Sequence, residues 1–259
     1  MADISCSLCY SVLIGIQNLS YSKLRQYFSQ WKSKMNYSAL VLDIEGTVCP
    51  ISFVKDTLFP YFVEKVPIIV QNIEQQSNIV KDIISQFNVE DKDALAKHIL
   101  GLVAADIKDP TLKQLQGFIW AEGYNSGEIK APVYPDAIDL IRRHNNVYIY
   151  SSGSVKAQKL LFGHVADSNG KSIDINSEIK GYFDINTSGA KVESSSYVNI
   201  LKDINMETTP EKILFLSDNP KELDAAKEAG LITGLAIREG NAPVPNINDY
   251  TGYKNYSTL

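Results

Sequence analysis

Two acids, Asp43 and Glu45, stand two positions apart after a short apolar run, with Gly46 and Thr47 directly behind them. Carboxylates so placed can hold a hard cation, attack an electrophile, or pass a proton to a leaving group. The same residues can also do no more than solubilise a loop, because short motifs recur by chance. Further on, Ser151-Ser152-Gly153-Ser154 offers hydroxyls and backbone N–H groups suited to an anion, or else an ordinary helix N-cap. Lys191 can reach a phosphate as a point charge, although alone it is one surface lysine among many. Asp218, within Ser217-Asp218-Asn219-Pro220, supplies a third acid.

Each of these groups needs an element to carry it. Residues 37–42 are too short and too uniformly apolar for an amphipathic helix, so they read as a buried strand that ends at Asp43. Buried parallel strands end at the sheet edge where open α/β folds bind ligands, and Gly46 permits the turn that keeps both acids there. Val147-Tyr148-Ile149-Tyr150 is a second strand, with the Ser cluster at its tip. Helix Val155–Phe162 follows, stopped by Gly163. Residues 181–185 form a short strand or connector. A helix ending near Asn205 follows Lys191. Residues 212–216 and 231–237 are strands, separated by a helix over 220–229 that starts on Pro220 and stops at Gly230. Helix Pro135–Arg143 precedes the second strand. Alternating strands and helices predict an α/β, Rossmann-like parallel sheet core.

Residues 53–130 interrupt this alternation with helical periodicity. Ser52 is a plausible N-cap, and Pro60 and Pro67 are expected to kink or divide the first segment. Val80, Ile83, Ile84 and Phe87 share one helical face, as do Leu95, Ile99, Leu102 and Val103. Asp109-Pro110 breaks the run before a helix bearing Leu112, Leu115 and Ile119. A helical cap inserted after the first strand would act as a lid. Phe53, Phe59, Trp120 and Tyr124 could line a pocket beneath it, although each is better explained by core packing. The expected organisation is an N-terminal extension over 1–36, a catalytic core from 37–52 and 131–259, and a cap over 53–130.

A chain of 259 residues, 44% hydrophobic, can bury a full core, and its net charge of −5 without a long basic run argues against nucleic acid. Cys6, Cys9 and Cys49 cannot build a disulfide framework, which fits a reducing compartment, and Cys6-x-x-Cys9 lacks the partners of a zinc site. The apolar run 9–16 is too short to span a membrane and lacks the basic flank of a secretory signal. Basic residues 23–34 faintly suggest an organelle presequence; a dispensable tail, with Met35 as an alternative start, is preferred. Cytoplasmic location is expected, a nuclear pool being left open, with the chain a monomer.

Asp43/Glu45, Ser151/Ser152, Lys191 and Asp218 all fall at strand tips on one edge. Acids beside a phosphate-sized nest suit Mg²⁺, and His98, His144 and His164 lack a zinc-like spacing. The motifs Asp43-Ile44-Glu45-Gly46-Thr47, Tyr150-Ser151-Ser152-Gly153-Ser154, Lys191 and Phe215-Leu216-Ser217-Asp218 resemble the four motifs of the haloacid dehalogenase superfamily of phosphohydrolases. Pro50-Ile51-Ser52-Phe53-Val54, Leu58-Phe59-Pro60-Tyr61, Gln158-Lys159-Leu160-Leu161-Phe162-Gly163-His164 and Lys191-Val192-Glu193-Ser194 resemble, more closely, its enolase-phosphatase branch of methionine salvage. The likeness runs from about residue 38 to about residue 241. Glu45 stands where most of the superfamily has Asp, and Val48-Cys49 replaces a hydroxyl-rich pair.

The resemblance implies conversion of 2,3-diketo-5-methylthiopentyl-1-phosphate to an acireductone and phosphate, by enolisation and then dephosphorylation, with one Mg²⁺ per subunit. It implies Asp43 as nucleophile and metal ligand, Asp218 as metal ligand, and Glu45 as a metal contact and acid–base group. Ser151, Ser152 and Lys191 would hold the substrate. The enolisation base is unassigned, Glu45 being a candidate, and Glu222 is expected on a solvated helix face rather than behind the site. A phosphatase acting on another small ester and a non-enzymatic binding module are the alternatives.

Overall fold

The structure, a computed structural model, describes residues 37–259; the cysteine pair, the basic stretch and Met35 lie outside the described residues. Strand β1 (Ala39–Leu42) is buried at every position, and no polar residue interrupts it, as a strand covered on both faces requires. It is followed by helices α1 (Phe59–Gln71), α2 (Asn78–Ser85), α3 (Lys92–Ala104) and α4 (Pro110–Ser126). Next come α5 (Pro135–Arg143), β2 (Val147–Tyr150), α6 (Val155–Phe162), a two-residue pair β3 (Val165–Ala166) and β4 (Ser172–Ile173), and β5 (Gly181–Phe183). The chain closes with α7 (Ser194–Asp203), β6 (Ile213–Ser217), α8 (Pro220–Glu228), β7 (Ile232–Ala236) and β8 (Gly252–Tyr253).

Six strands form a parallel sheet in the order β5-β2-β1-β6-β7-β8, as expected for an α/β core. From β1 the chain builds outward through β2 and β5, then returns to lay β6 on the other side of β1. The direction of winding therefore reverses between β1 and β6, the place where such sheets open a ligand crevice. Leu42 pairs with Leu216 there, and Asp43 N–H donates to the Leu216 carbonyl at 3.0 Å. Asp43 and Asp218 are thus delivered to neighbouring tips by register alone. Tyr197 and Leu201 of α7 and Leu223 of α8 pack with Val41, Tyr150 and Phe215 of the sheet. Each such side chain contributes roughly 1.5–3 kcal/mol by leaving water.

The helical insertion has its own apolar centre, in which Val80, Ile83, Ile84, Leu95, Ile99, Leu112, Leu115 and Ile119 meet Phe62, Val66 and Val70 of α1. Side-chain caps set three of its helices: Ser77 accepts from Val80 N–H, Asp91 from Ala94 N–H and Asp109 from Leu112 N–H. Two local expectations fail. Ser52 caps through no side-chain bond; its carbonyl accepts from Asp56 N–H at 2.7 Å, and a wide π turn over Val54–Leu58 runs straight into α1. Pro67 does not divide α1, which continues through it to Gln71. Among the described residues no helix is long and apolar enough to cross a membrane.

Candidate active site

After β1 the backbone turns at Gly46, whose φ of +70° lies in the left-handed region. A Cβ there would collide with the Asp218 carboxylate and reach 2.7 Å from Asn241 Oδ1, so only glycine lets these elements close together. Thr47 is fully buried, and its hydroxyl donates to Asp43 Oδ2 at 3.2 Å. The other oxygen of Asp43, Oδ1, is ion-paired with Lys191 Nζ. Asp43 is therefore gripped at both ends.

Lys191 reaches the site from the loop before α7. Tyr150 OH donates to the Gly189 carbonyl and Tyr197 OH to the Lys191 carbonyl, each at 2.7 Å, so two buried rings fix that loop. Burial opposes the charge on Lys191, but Asp43 and Glu222 outweigh it and keep the ammonium protonated. Glu222 Oε2 lies 2.7 Å from Lys191 Nζ and accepts from Ser217 Oγ at 2.8 Å, while Asn219 donates to Oε1 at 3.2 Å. Glu222 was expected on a solvated helix face, and this is a correction: α8 turns its Glu222, Leu223 and Ala226 side inward. The signal was present, because Glu222 lies four residues from the apolar Ala226.

Ser151 and Ser152 part company. Ser152 lines the cavity, whereas Ser151 is buried behind it, donating to Glu45 Oε2 at 3.4 Å and accepting from Gly153 N–H at 3.2 Å. Ser154 is the N-cap of α6, accepting from Ala157 N–H. Asp184, at the tip of β5, accepts from the backbone N–H groups of Val155, Asn186 and Thr187 at 2.8–3.0 Å. Burial works against its charge, yet those donors hold it below the usual carboxylate range. It ties the Ser-bearing turn to the neighbouring strand. Sequence reasoning passed over it, although an acid at a strand tip was the pattern that flagged Asp43.

Asp43, Glu45, Ser152, Lys191 and Asp218 meet at one cavity of about 570 Å³. Phe53, Phe59, Trp120 and Tyr124 are not on its wall. Phe53 and Tyr124 are buried, and Phe59 and Trp120 meet edge to face at 6.0 Å. The apolar side of the cavity comes instead from Ile51 and the 242–245 segment. Burial pushes the Cys49 thiol far up, so it stays an unreactive apolar neighbour.

Four carboxyl groups (Asp43, Glu45, Asp218, Glu222) and two lysines (Lys191, Lys221) line the cavity. Burial and the charges of Asp43 and Glu222 raise Asp218 to about 7. Burial, then Asp43, also raises Glu45. Such a gathering of carboxyl oxygens fits a hard divalent cation. Among the described residues no three His, Cys, Asp or Glu side chains gather on one point. Asp43, Glu45 and Asp218 line the same cavity as Ser152 and Asn219, so both carboxyl and neutral oxygen donors face it.

The haloacid dehalogenase-like hydrolase family matches residues 37–230. A protein named Enolase-phosphatase E1 from Saccharomyces cerevisiae (strain YJM789) is 63% identical over 227 residues, covering 86% of this chain and 99% of that one. One of the same name from Zygosaccharomyces rouxii is 56% identical, covering 87% of this chain and 100% of its own length. The crystal structure of the UTR4 protein from Saccharomyces cerevisiae superposes with a TM-score of 0.80 at 62% identity, covering 86% of this chain and 100% of that one. With strands β1 to β6, the acid turn and the helical insertion inside the family match, the chain belongs to the haloacid dehalogenase-like hydrolase family, in the company of proteins named enolase-phosphatase E1.

Proposed function

We propose that this chain is a Mg²⁺-dependent enolase-phosphatase of methionine salvage. It would convert 2,3-diketo-5-methylthiopentyl-1-phosphate to 1,2-dihydroxy-3-keto-5-methylthiopentene and phosphate, with one Mg²⁺ per monomer, in the cytoplasm. The names of its relatives and the family match support the reaction class. The residue roles are those the resemblance implies, and the geometry is what supports them here. The observation that carries them is Asp43, held between Lys191 and Thr47 at the cavity beside Asp218.

A carboxylate oxygen of Asp43 attacks phosphorus, the bond from phosphorus to the C1 oxygen breaks, and an aspartyl-phosphate forms. Lys191 offsets charge on the phosphoryl oxygens. Glu45, with its proton affinity raised by burial, protonates the departing oxygen and then takes a proton from the water that hydrolyses the intermediate. Ser152 contacts the phosphate, and Ser151 orients Glu45. Mg²⁺, held by Asp43, Asp218 and the Glu45 position, would neutralise phosphate charge and polarise the neighbouring carbonyl, acidifying the C1 proton. Residues 53–130 form the cap over a core built from 37–52 and 131–259. Ile51 and 242–245 offer an apolar surface for the methylthioalkyl chain.

The test supplies the diketo phosphate with Mg²⁺ and follows both phosphate and the ultraviolet band of the enediol. Both signals are expected, and Asp43→Asn should lower turnover at least about a thousandfold, since the nucleophile is removed. Phosphate without the enediol band would leave a phosphatase of another small ester. Turnover by Asp43→Asn at the parental rate would remove the covalent mechanism.

A further inference from the structure

The two peptides that flank Thr47 are held from behind by residues that lie nearly two hundred positions further along the chain. Asn241 Nδ2 donates to the Gly46 carbonyl at 2.9 Å. The Thr47 carbonyl accepts twice, from Arg238 Nε at 3.2 Å and from Tyr256 OH at 3.0 Å. Neither donor is loose. The Arg238 guanidinium lies between two rings, 4.4 Å from the centre of Tyr134 and 4.3 Å from that of Tyr256. Its Nη2 donates to Asp136 Oδ2 at 2.9 Å and its Nη1 to the Lys254 carbonyl at 3.2 Å. Asp136 Oδ2 also accepts from Tyr256 N–H at 2.8 Å. Tyr256 is fully buried.

A carbonyl that accepts two anchored donors fixes its peptide plane, and with it the direction in which the Thr47 side chain leaves the backbone. That restraint matters because Gly46, in the left-handed region, turns the backbone between Asp43 and Thr47. The Thr47 hydroxyl, in turn, holds Asp43 Oδ2. A path of hydrogen bonds, joined through the covalent frame of Thr47, thus runs from the C-terminal segment to the attacking carboxylate. Lys191 fixes the opposite oxygen. A tail that only needed fastening could have used any exposed carbonyl; this one grips the residue that orients Asp43.

We propose that Arg238 and Tyr256 are positioning residues for reaction at Asp43, acting through the Thr47 peptide and hydroxyl. The inference rests on Asp43 being the nucleophile. It predicts a particular non-additivity. Tyr256→Phe removes one hydroxyl and leaves Thr47 O its bond from Arg238, so the fold survives while the aim of the carboxylate relaxes. Thr47→Val removes the last link of the path at nearly constant volume.

The experiment measures kcat and KM on the full-length protein with Mg²⁺, together with thermal midpoints and orthovanadate affinity as a readout that needs no turnover. Tyr256→Phe and Thr47→Val should each lower kcat about tenfold, with KM changed by less than about twofold, as expected for an interaction felt in the transition state. Orthovanadate affinity should fall in step. The double variant should lose no more kcat than Thr47→Val alone, because both changes cut one path. Arg238→Lys, which keeps the charge but not the planar fork, should behave as Tyr256→Phe does and stands in for it should that variant be unstable. Losses in kcat that multiply, or a loss of stability with kcat unchanged, would overturn the proposal. Those outcomes are distinct from failure of the nucleophile assignment, which would show as turnover by Asp43→Asn at the parental rate.

Discussion

Four carboxyl groups, Asp43 and Glu222 buried and Glu45 and Asp218 half-buried, gather with Lys191 in a site that favours either a proton or a cation, and Asp218 registers the competition. Its pKa near 7 is raised by burial, then by Asp43 and Glu222, so below that pH the folded protein holds a proton that an incoming Mg²⁺ must displace. Mg²⁺ affinity measured by calorimetry should therefore rise about tenfold per pH unit up to roughly 7 and level off above it. Removing a neighbouring charge with Glu222→Gln should move the levelling point to lower pH. An affinity flat from pH 5 to 8 would mean that Asp218 binds no cation. The acids Asp43, Glu45 and Asp218 were legible in the sequence because each ends or follows an apolar run. Glu222 was misplaced because one acid on a helix says nothing of its direction until the neighbouring Leu223 and Ala226 are weighed with it.

Elements, not isolated residues, decide where the serine turn sits. Asp184 at the end of β5 accepts from Val155 N–H at the start of α6, joining one strand tip to the helix that follows the next. Its carboxyl is held below its ordinary pKa by those N–H donors against the cost of burial, so the stabilisation is present above the unfolded value and lost as pH falls through the folded one. Asp184→Asn should lower unfolding free energy by about 1–3 kcal/mol near neutral pH, measured by urea titration, with the deficit shrinking in strong acid. An equal deficit at all pH values would show that packing rather than charge is at work. The longer elements were readable: Pro135–Arg143, Val147–Tyr150 and Val155–Phe162 were placed from periodicity, Pro135 and Gly163. Strands β3, β4 and β8 were not, since two residues carry no period and exist only through their partners.

At the scale of the whole molecule, two stretches far apart in sequence meet at the site. Ile51 follows the first strand and 242–245 follows the seventh, yet both face the same cavity, while the insertion's aromatics pack among themselves or into the core. No local pattern could have revealed this, because the pairing depends on β1 and β7 flanking β6. It changes where substrate selectivity is expected to reside. A helical lid suggests that the cap reads the substrate chain; the cavity wall suggests that the segment after β7 does, with Pro243 and Pro245 stiffening it at little entropic cost. A series of 2,3-diketo-1-phosphates with lengthening alkyl chains separates the two. Burying each added methylene against an apolar wall is worth about 0.8 kcal/mol, so kcat/KM should climb about fourfold per carbon until the wall is covered. Ile51→Ala and Val244→Ala should flatten that climb while leaving the shortest substrate nearly unaffected. Should the slope persist in both variants and collapse instead in Phe59→Leu or Trp120→Phe, the helical insertion would be the selective element. The apolar wall seen in this structure would then face only solvent during turnover.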